Sequence, residues 1–158
     1  MSPIASRVFT FEADFAGDLR CLPMAVRRKL DLAGVKLKLV HWHGLTGEER
    51  QRLLAWPDDA GSLATMRTWL LERSRSLPQG PAGLLAPAID EAWQQQASLP
   101  EPLAASCRQL GLSLRSDGWT CLDELQRFAL VKLSHPGHEH RNLARALQEF
   151  NVLTVMEN

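Results

Sequence analysis

His135, His138 and His140 stand close together in the run SHPGHEH, and clustered imidazoles are the side chains that most readily hold a transition metal. A metal there would want a further oriented ligand, yet the run places no Cys or Asp nearby and Pro136-Gly137 puts the first histidine in a loop. The start of a helix, with polar residues in its first turn, accounts for the same residues. His41 and His43 flank Trp42 and share a face only if the chain is extended, so they read as partner-facing or surface groups. Cys21 follows Arg20 just ahead of a helix start, an electropositive setting of the kind that activates thiols, but no histidine is spaced to serve as its base. A buried thiol explains it better. Asp58-Asp59 and Asp90-Glu91 are adjacent in the chain, so their side chains diverge and suit helix starts more than an acid–base pair. GxGxxG, a phosphate loop, GxSxG, HExxH and an EF-hand loop are missing from the sequence. The expectation is a protein that is not an enzyme, with no catalytic residue, no metal site and no cofactor of its own.

What remains is charge. The 158 residues carry 18 Lys plus Arg against 18 Asp plus Glu, which excludes a surface built wholly for nucleic acid or acidic lipid. The balance is uneven along the chain. Residues 20–52 hold eight basic side chains (Arg20, Arg27, Arg28, Lys29, Lys36, Lys38, Arg50, Arg52) and three acidic ones, Asp31, Glu48 and Glu49. Such a segment can steer an acidic partner, although the solvated faces of two helices would look the same. The candidate partner contacts are therefore Arg20, Arg27, Arg28, Lys29, Lys36, Lys38 and Trp42, with His135, His138 and Arg141 from the turn at 134–142. Five scattered tryptophans and no tyrosine suit core anchors better than a platform for stacking bases.

Helices must position these residues. Leu (27) and Ala (18) far outnumber Val (7) and Ile (2), which leaves little room for a sandwich, a barrel or a parallel sheet. Pro23 and Gly34 bracket a first clear helix with Leu22, Val26, Leu30 and Ala33 on one stripe. The run VKLKLV at 35–40 reads as an extended segment leading into a short turn. Thr46 and Glu49 form a capping box for a helix that Pro57 ends. Ser62 can cap the next helix, carrying Leu63, Met66, Trp69, Leu70 and Leu77, and a further helix is expected over 82–97 with Leu84, Leu85, Ile89 and Trp93. Helices at about 102–110, at 121–133 behind Thr120 and Asp123, and at 138–149 complete the series. The alternation in RVFTFEADF, residues 7–15, admits a short strand or extended arm. The fold class is mainly α: one helical domain over 1–158, a bundle of about six short helices with room for a minor two-stranded β element near the N-terminus, and loosely ordered tails at 1–8 and 151–158.

The N-terminus lacks an apolar signal core and no segment is long and apolar enough to span a membrane. The three cysteines, Cys21, Cys107 and Cys121, have neither CxxC nor zinc-finger spacing. Reduced thiols in the cytoplasm are the expectation.

Phe11-Glu12, Asp14-Phe15, Leu19-Arg20-Cys21, Pro23-Met24 and Lys29-Leu30-Asp31, within 9–42, and the stretch LDELQRFALVKLSHPGHEHRNLARALQEF at 122–150 resemble the nitrate reductase-associated protein family. At His138-Glu139-His140-Arg141-Asn142 the chain departs from the family's pattern, which weakens the histidine cluster as a ligand set. The resemblance implies a helper of assimilatory nitrate reductase, an enzyme of a molybdenum pterin and an iron–sulfur cluster, needed for that enzyme to become or stay active and without catalysis of its own. Two other classes stay open. The helix at 121–133, the SHPG turn and the helix bearing Arg141 and Arg145 make a passable helix-turn-helix regulator, against which the neutral chain counts. A metal- or thiol-dependent enzyme would rest on Cys21 and the histidines.

Overall fold

The computed structural model describes residues 4–135 and 140–154. The described residues contain eight α-helices and one two-stranded antiparallel sheet, and the chain's internal contacts divide it into two units, Met1–Ile89 and Asp90–Asn158.

In the first unit, the segment expected as a strand coils instead. A 3-10 turn at Thr10–Glu12 runs into α1, Ala13–Ala16, with Phe9 stacked on Phe11 at 5.6 Å. Coiling brings the buried Glu12 to the start of α2, Met24–Ala33, where its Oε1 accepts the Met24 N–H at 3.1 Å. An extended chain would have left that helix N-terminus without this acceptor. Gly34 closes α2 as expected: it sits at φ +77° and donates to the Leu30 and Asp31 carbonyls. Its missing side chain also matters for packing, because a Cβ there would lie 2.6 Å from the Leu85 carbonyl oxygen.

That neighbour belongs to the sheet. β1, Val35–Lys36, pairs with β2, Gly83–Leu84, with Val35 opposite Leu84 and Lys36 opposite Gly83. The extended reading of VKLKLV thus holds at its first residues; the chain then coils into α3, Leu39–Gly44. α4, Gly47–Ala55, opens on the expected reciprocal cap between Thr46 and Glu49. α5, Ala60–Ser74, starts earlier than expected, since Asp59 rather than Ser62 accepts the capping bond, from the Ser62 N–H at 2.9 Å. Val26 and Leu30 of α2, Trp42 of α3, Leu53 of α4, and Met66 and Leu70 of α5 form the core of this unit.

The helix expected over 82–97 does not form. Pro87 withholds a donor in the middle of that span, and two of its other amides are bonded to a different segment: Leu85 donates to Gly34 and Ala88 to Asp31. Only β2 and a 3-10 turn at Ala92–Gln94 are regular there. With two short additions, α1 and α3, the eight helices replace the six or so anticipated.

The second unit holds α6, Glu101–Leu110, α7, Glu124–Leu133, and α8, His140–Glu149. Asp123, not Thr120, caps α7, in a reciprocal pair with Gln126. Trp93 meets Phe128 edge-on at 5.1 Å. The buried Arg127 guanidinium donates to the carbonyls of Trp93 at 2.9 Å and Leu122 at 2.6 Å. Val152 is buried, and Leu153 bridges Leu114 in antiparallel fashion.

Candidate partner-binding surface

Most of the cations between 20 and 52 are spent inside the first unit. Lys29 is wholly buried, and its ammonium donates to three carbonyls at the end of α4: Leu53 at 2.6 Å, Leu54 at 2.8 Å and Trp56 at 2.9 Å. The last carbonyls of a helix lack internal donors and carry the negative end of its dipole, so a cation from α2 satisfies them. Burial pulls Lys29 down to about 8, with the nearby Asp58 carboxylate pulling the other way. Its neighbour Arg28 is buried as well and pairs with Asp58 at 3.0 Å. Burial lowers Arg27 too, opposed by Asp31 and Glu12. Arg50 closes α3 in the same manner, donating to the carbonyls of Trp42 at 3.0 Å and His43 at 3.1 Å.

Trp42, expected to face a partner, has no exposed surface; its indole N–H donates to the Leu19 carbonyl at 2.8 Å. Lys29, Arg28 and Trp42 therefore leave the list of surface contacts: Lys29 caps the end of α4, Arg28 is turned in to Asp58, and the indole of Trp42 lies in the core of the unit.

At the surface, Arg20 is paired with Asp18 at 2.8 Å, and the bond from the Arg20 backbone amide holds the Asp18 carboxyl below its ordinary value. Arg52 lies 5.0 Å from the ring centres of both Trp56 and Trp69, a cation–π arrangement. Lys36 and Lys38 are exposed, and among the described residues neither has a carboxylate partner. Beside them lies a feature that the sequence reading missed. Six large hydrophobic residues are exposed among the described residues, and five of them fall in two short segments, Leu39-Val40 and Leu84 to Ile89; Leu84 is 59% and Ile89 75% exposed. For Leu84 to Ile89 the signal was present in Pro87, which interrupts the helix expected over 82–97.

In the second unit, His135 and Arg141 are exposed; His138 lies outside the described residues, as does the Pro136-Gly137 turn of the helix-turn-helix reading. These contacts belong to a different unit from the 20–42 set.

Both histidines of α3 are engaged by backbone groups. His41 takes the Lys38 N–H on Nδ1, so its Nε2 carries the proton and donates to the Gly80 carbonyl at 3.2 Å. His43 Nε2 lies 2.9 Å from the Arg20 carbonyl. Cys21 is half-buried, Cys121 exposed and Cys107 buried, with burial pushing the Cys107 thiol up. Among the described residues, no group of three His, Cys, Asp or Glu side chains is placed to hold a metal ion, and no helix is long and apolar enough to cross a membrane. An open groove between α2 and α5, lined by Leu32, Ala33, Leu63 and Ala64, has Asp58 and Arg67 as its charged walls, and Asp58 is already engaged by Arg28.

A family model described as conserved nitrate reductase-associated protein matches residues 8–150. No curated protein and no solved structure matches the chain.

Proposed function

Because the chain belongs to the conserved nitrate reductase-associated protein family, we propose that it is a non-catalytic accessory protein that binds assimilatory nitrate reductase in the cytoplasm and supports that enzyme's maturation or activity. Family membership over nearly the whole chain carries this reading. The physical chemistry is in keeping with it: the histidines at 41 and 43 are engaged with backbone groups, whereas exposed lysines and leucines lie where a protein partner could reach them. A recognition role needs an exposed patch of mixed apolar and charged character and no reacting group.

Deletion of the gene tests it. The expected strain synthesises nitrate reductase protein at the normal level but in an inactive form, and the tagged wild-type chain co-purifies with the reductase. Normal reductase activity in the deletion strain refutes the reading.

A further inference from the structure

Resting on the accessory reading above, we infer that the surface made by β1, β2 and the first turn of α3 is where the partner docks, and that it receives an acidic segment with apolar side chains. The argument begins with what is not neutralised. Of the basic residues in 20–52, Arg20 and Arg28 have carboxylate partners, Arg27 is half-buried against the Met24 sulfur within the field of Asp31 and Glu12, Lys29 and Arg50 cap helices, and Arg52 packs on two indoles. Lys36 and Lys38 remain as exposed ammoniums without a carboxylate partner among the described residues.

Their positions are fixed. Lys36 is held in the ribbon opposite Gly83, where a Cβ on the glycine would approach the Lys36 Cβ to 3.5 Å; the absent side chain leaves the stem of Lys36 uncovered. Lys38 is held at the start of α3 by its N–H bond to His41 Nδ1 at 3.1 Å. Leu84 and Leu85 follow Gly83, and Leu39 and Val40 follow Lys38; all four are exposed by more than two-fifths. Leucines on a tethered ribbon, with their backbone bonded to Gly34 and Val35, cannot turn inward without breaking the sheet.

An exposed apolar patch of this kind marks an interaction site. Two uncompensated lysines in the same elements choose among occupants. They repel a second copy, which would bring the same two lysines to an isologous contact, and they attract a carboxylate-bearing surface. Apolar burial supplies the affinity while the lysines set orientation and speed encounter.

The test uses the full-length chain and purified nitrate reductase from the same cells, with binding followed by biolayer interferometry. Lys36→Glu/Lys38→Glu is expected to weaken binding by about tenfold or more, and to flatten its dependence on salt. Leu84→Ser/Leu85→Ser is expected to weaken it to a similar degree with the salt dependence retained. Arg67→Glu/Arg75→Glu, which makes the same charge change on α5 and at the residue that ends it, is expected to bind as the wild type does. Circular dichroism and melting temperature confirm folding of each variant.

Equal binding by all the variants overturns the surface and leaves the accessory reading standing. Failure of the wild type to bind removes both. Loss of binding in the lysine variant alone overturns the inference in favour of unspecific charge attraction. A wild-type dimer on gel filtration that Leu84→Ser/Leu85→Ser dissolves, or sedimentation with phosphatidylserine vesicles that Lys36→Glu/Lys38→Glu abolishes, overturns it in favour of a second copy or a lipid surface.

Discussion

Replacing Lys29 by Met keeps most of the side-chain volume and removes the ammonium. Three carbonyls then lose a donor. The Leu53 oxygen retains the Trp56 N–H, at 3.3 Å, but the residue after Trp56 is Pro57, which has no N–H to offer. Leu54 and Trp56 thus each forfeit a charge-assisted bond worth about 1.5–3 kcal/mol. Relief from burying a cation returns roughly 2–3 kcal/mol of this, in line with the fall of Lys29 from 10.5 to about 8, so the variant should be less stable by about 1–3 kcal/mol at pH 7. With a urea slope of about 1.5 kcal/mol per molar, the midpoint falls by roughly 0.7–2 M. Urea titration followed by tryptophan emission reads it well, since Trp42, Trp56 and Trp69 all lie in the first unit. A midpoint within about 0.3 M of the wild type would show that these carbonyls are content with water, and the account of why the basic segment turns inward would be wrong. The pH dependence provides a second check. Lys29 titrates at about 8 when folded and at 10.5 ordinarily, so the unfolded chain holds the proton more tightly. The buried ammonium therefore costs stability most below about pH 8, and the cost fades as pH rises toward 10.5. The advantage of wild type over Lys29→Met should grow between those limits.

Glu49 accepts from Arg73 at 2.6 Å and caps α4 through Thr46, and the Arg73 bond in the first place holds its carboxyl below 4.5. Glu49→Gln is expected to cost about 1–2 kcal/mol at pH 7 in chemical denaturation. Because the folded value is the lower one, the difference persists above 4.5 and is lost as pH falls through the folded value. Ellman's reagent at pH 8 should modify Cys121 and Cys21 in the folded protein and reach Cys107 only in urea; three thiols reacting at one rate would contradict the burial of Cys107.

Local signals in the sequence located those elements whose ends are decided within a few residues. Thr46 with Glu49, and Gly34 and Gly111 in left-handed conformation, act over one turn, and the helices they bound stand where the pattern places them. The misread segments are those settled from a distance. Residues 9–15 coil because Glu12 is needed at the start of α2, and 82–97 stays irregular because its amides are taken by Gly34 and Asp31. The candidate surface shows the same division. A basic stretch was visible as composition, but the fates of its members depend on where α4 and α3 end, which no spacing within 20–52 encodes. Lys36 and Lys38 stay outside, the one held in the ribbon and the other at the start of α3.

The pairing of Val35 with Leu84 has a consequence in time. The chain between these partners contains α3, α4 and α5, so the ribbon closes a long loop, and closing it before those helices have gathered would cost entropy with nothing gained in return. The clasp is accordingly a late event. A chain still emerging from the ribosome, or one whose α5 has come loose, would not display Leu84 and Leu85 beside Lys36, so the proposed docking surface exists only once the first unit is complete.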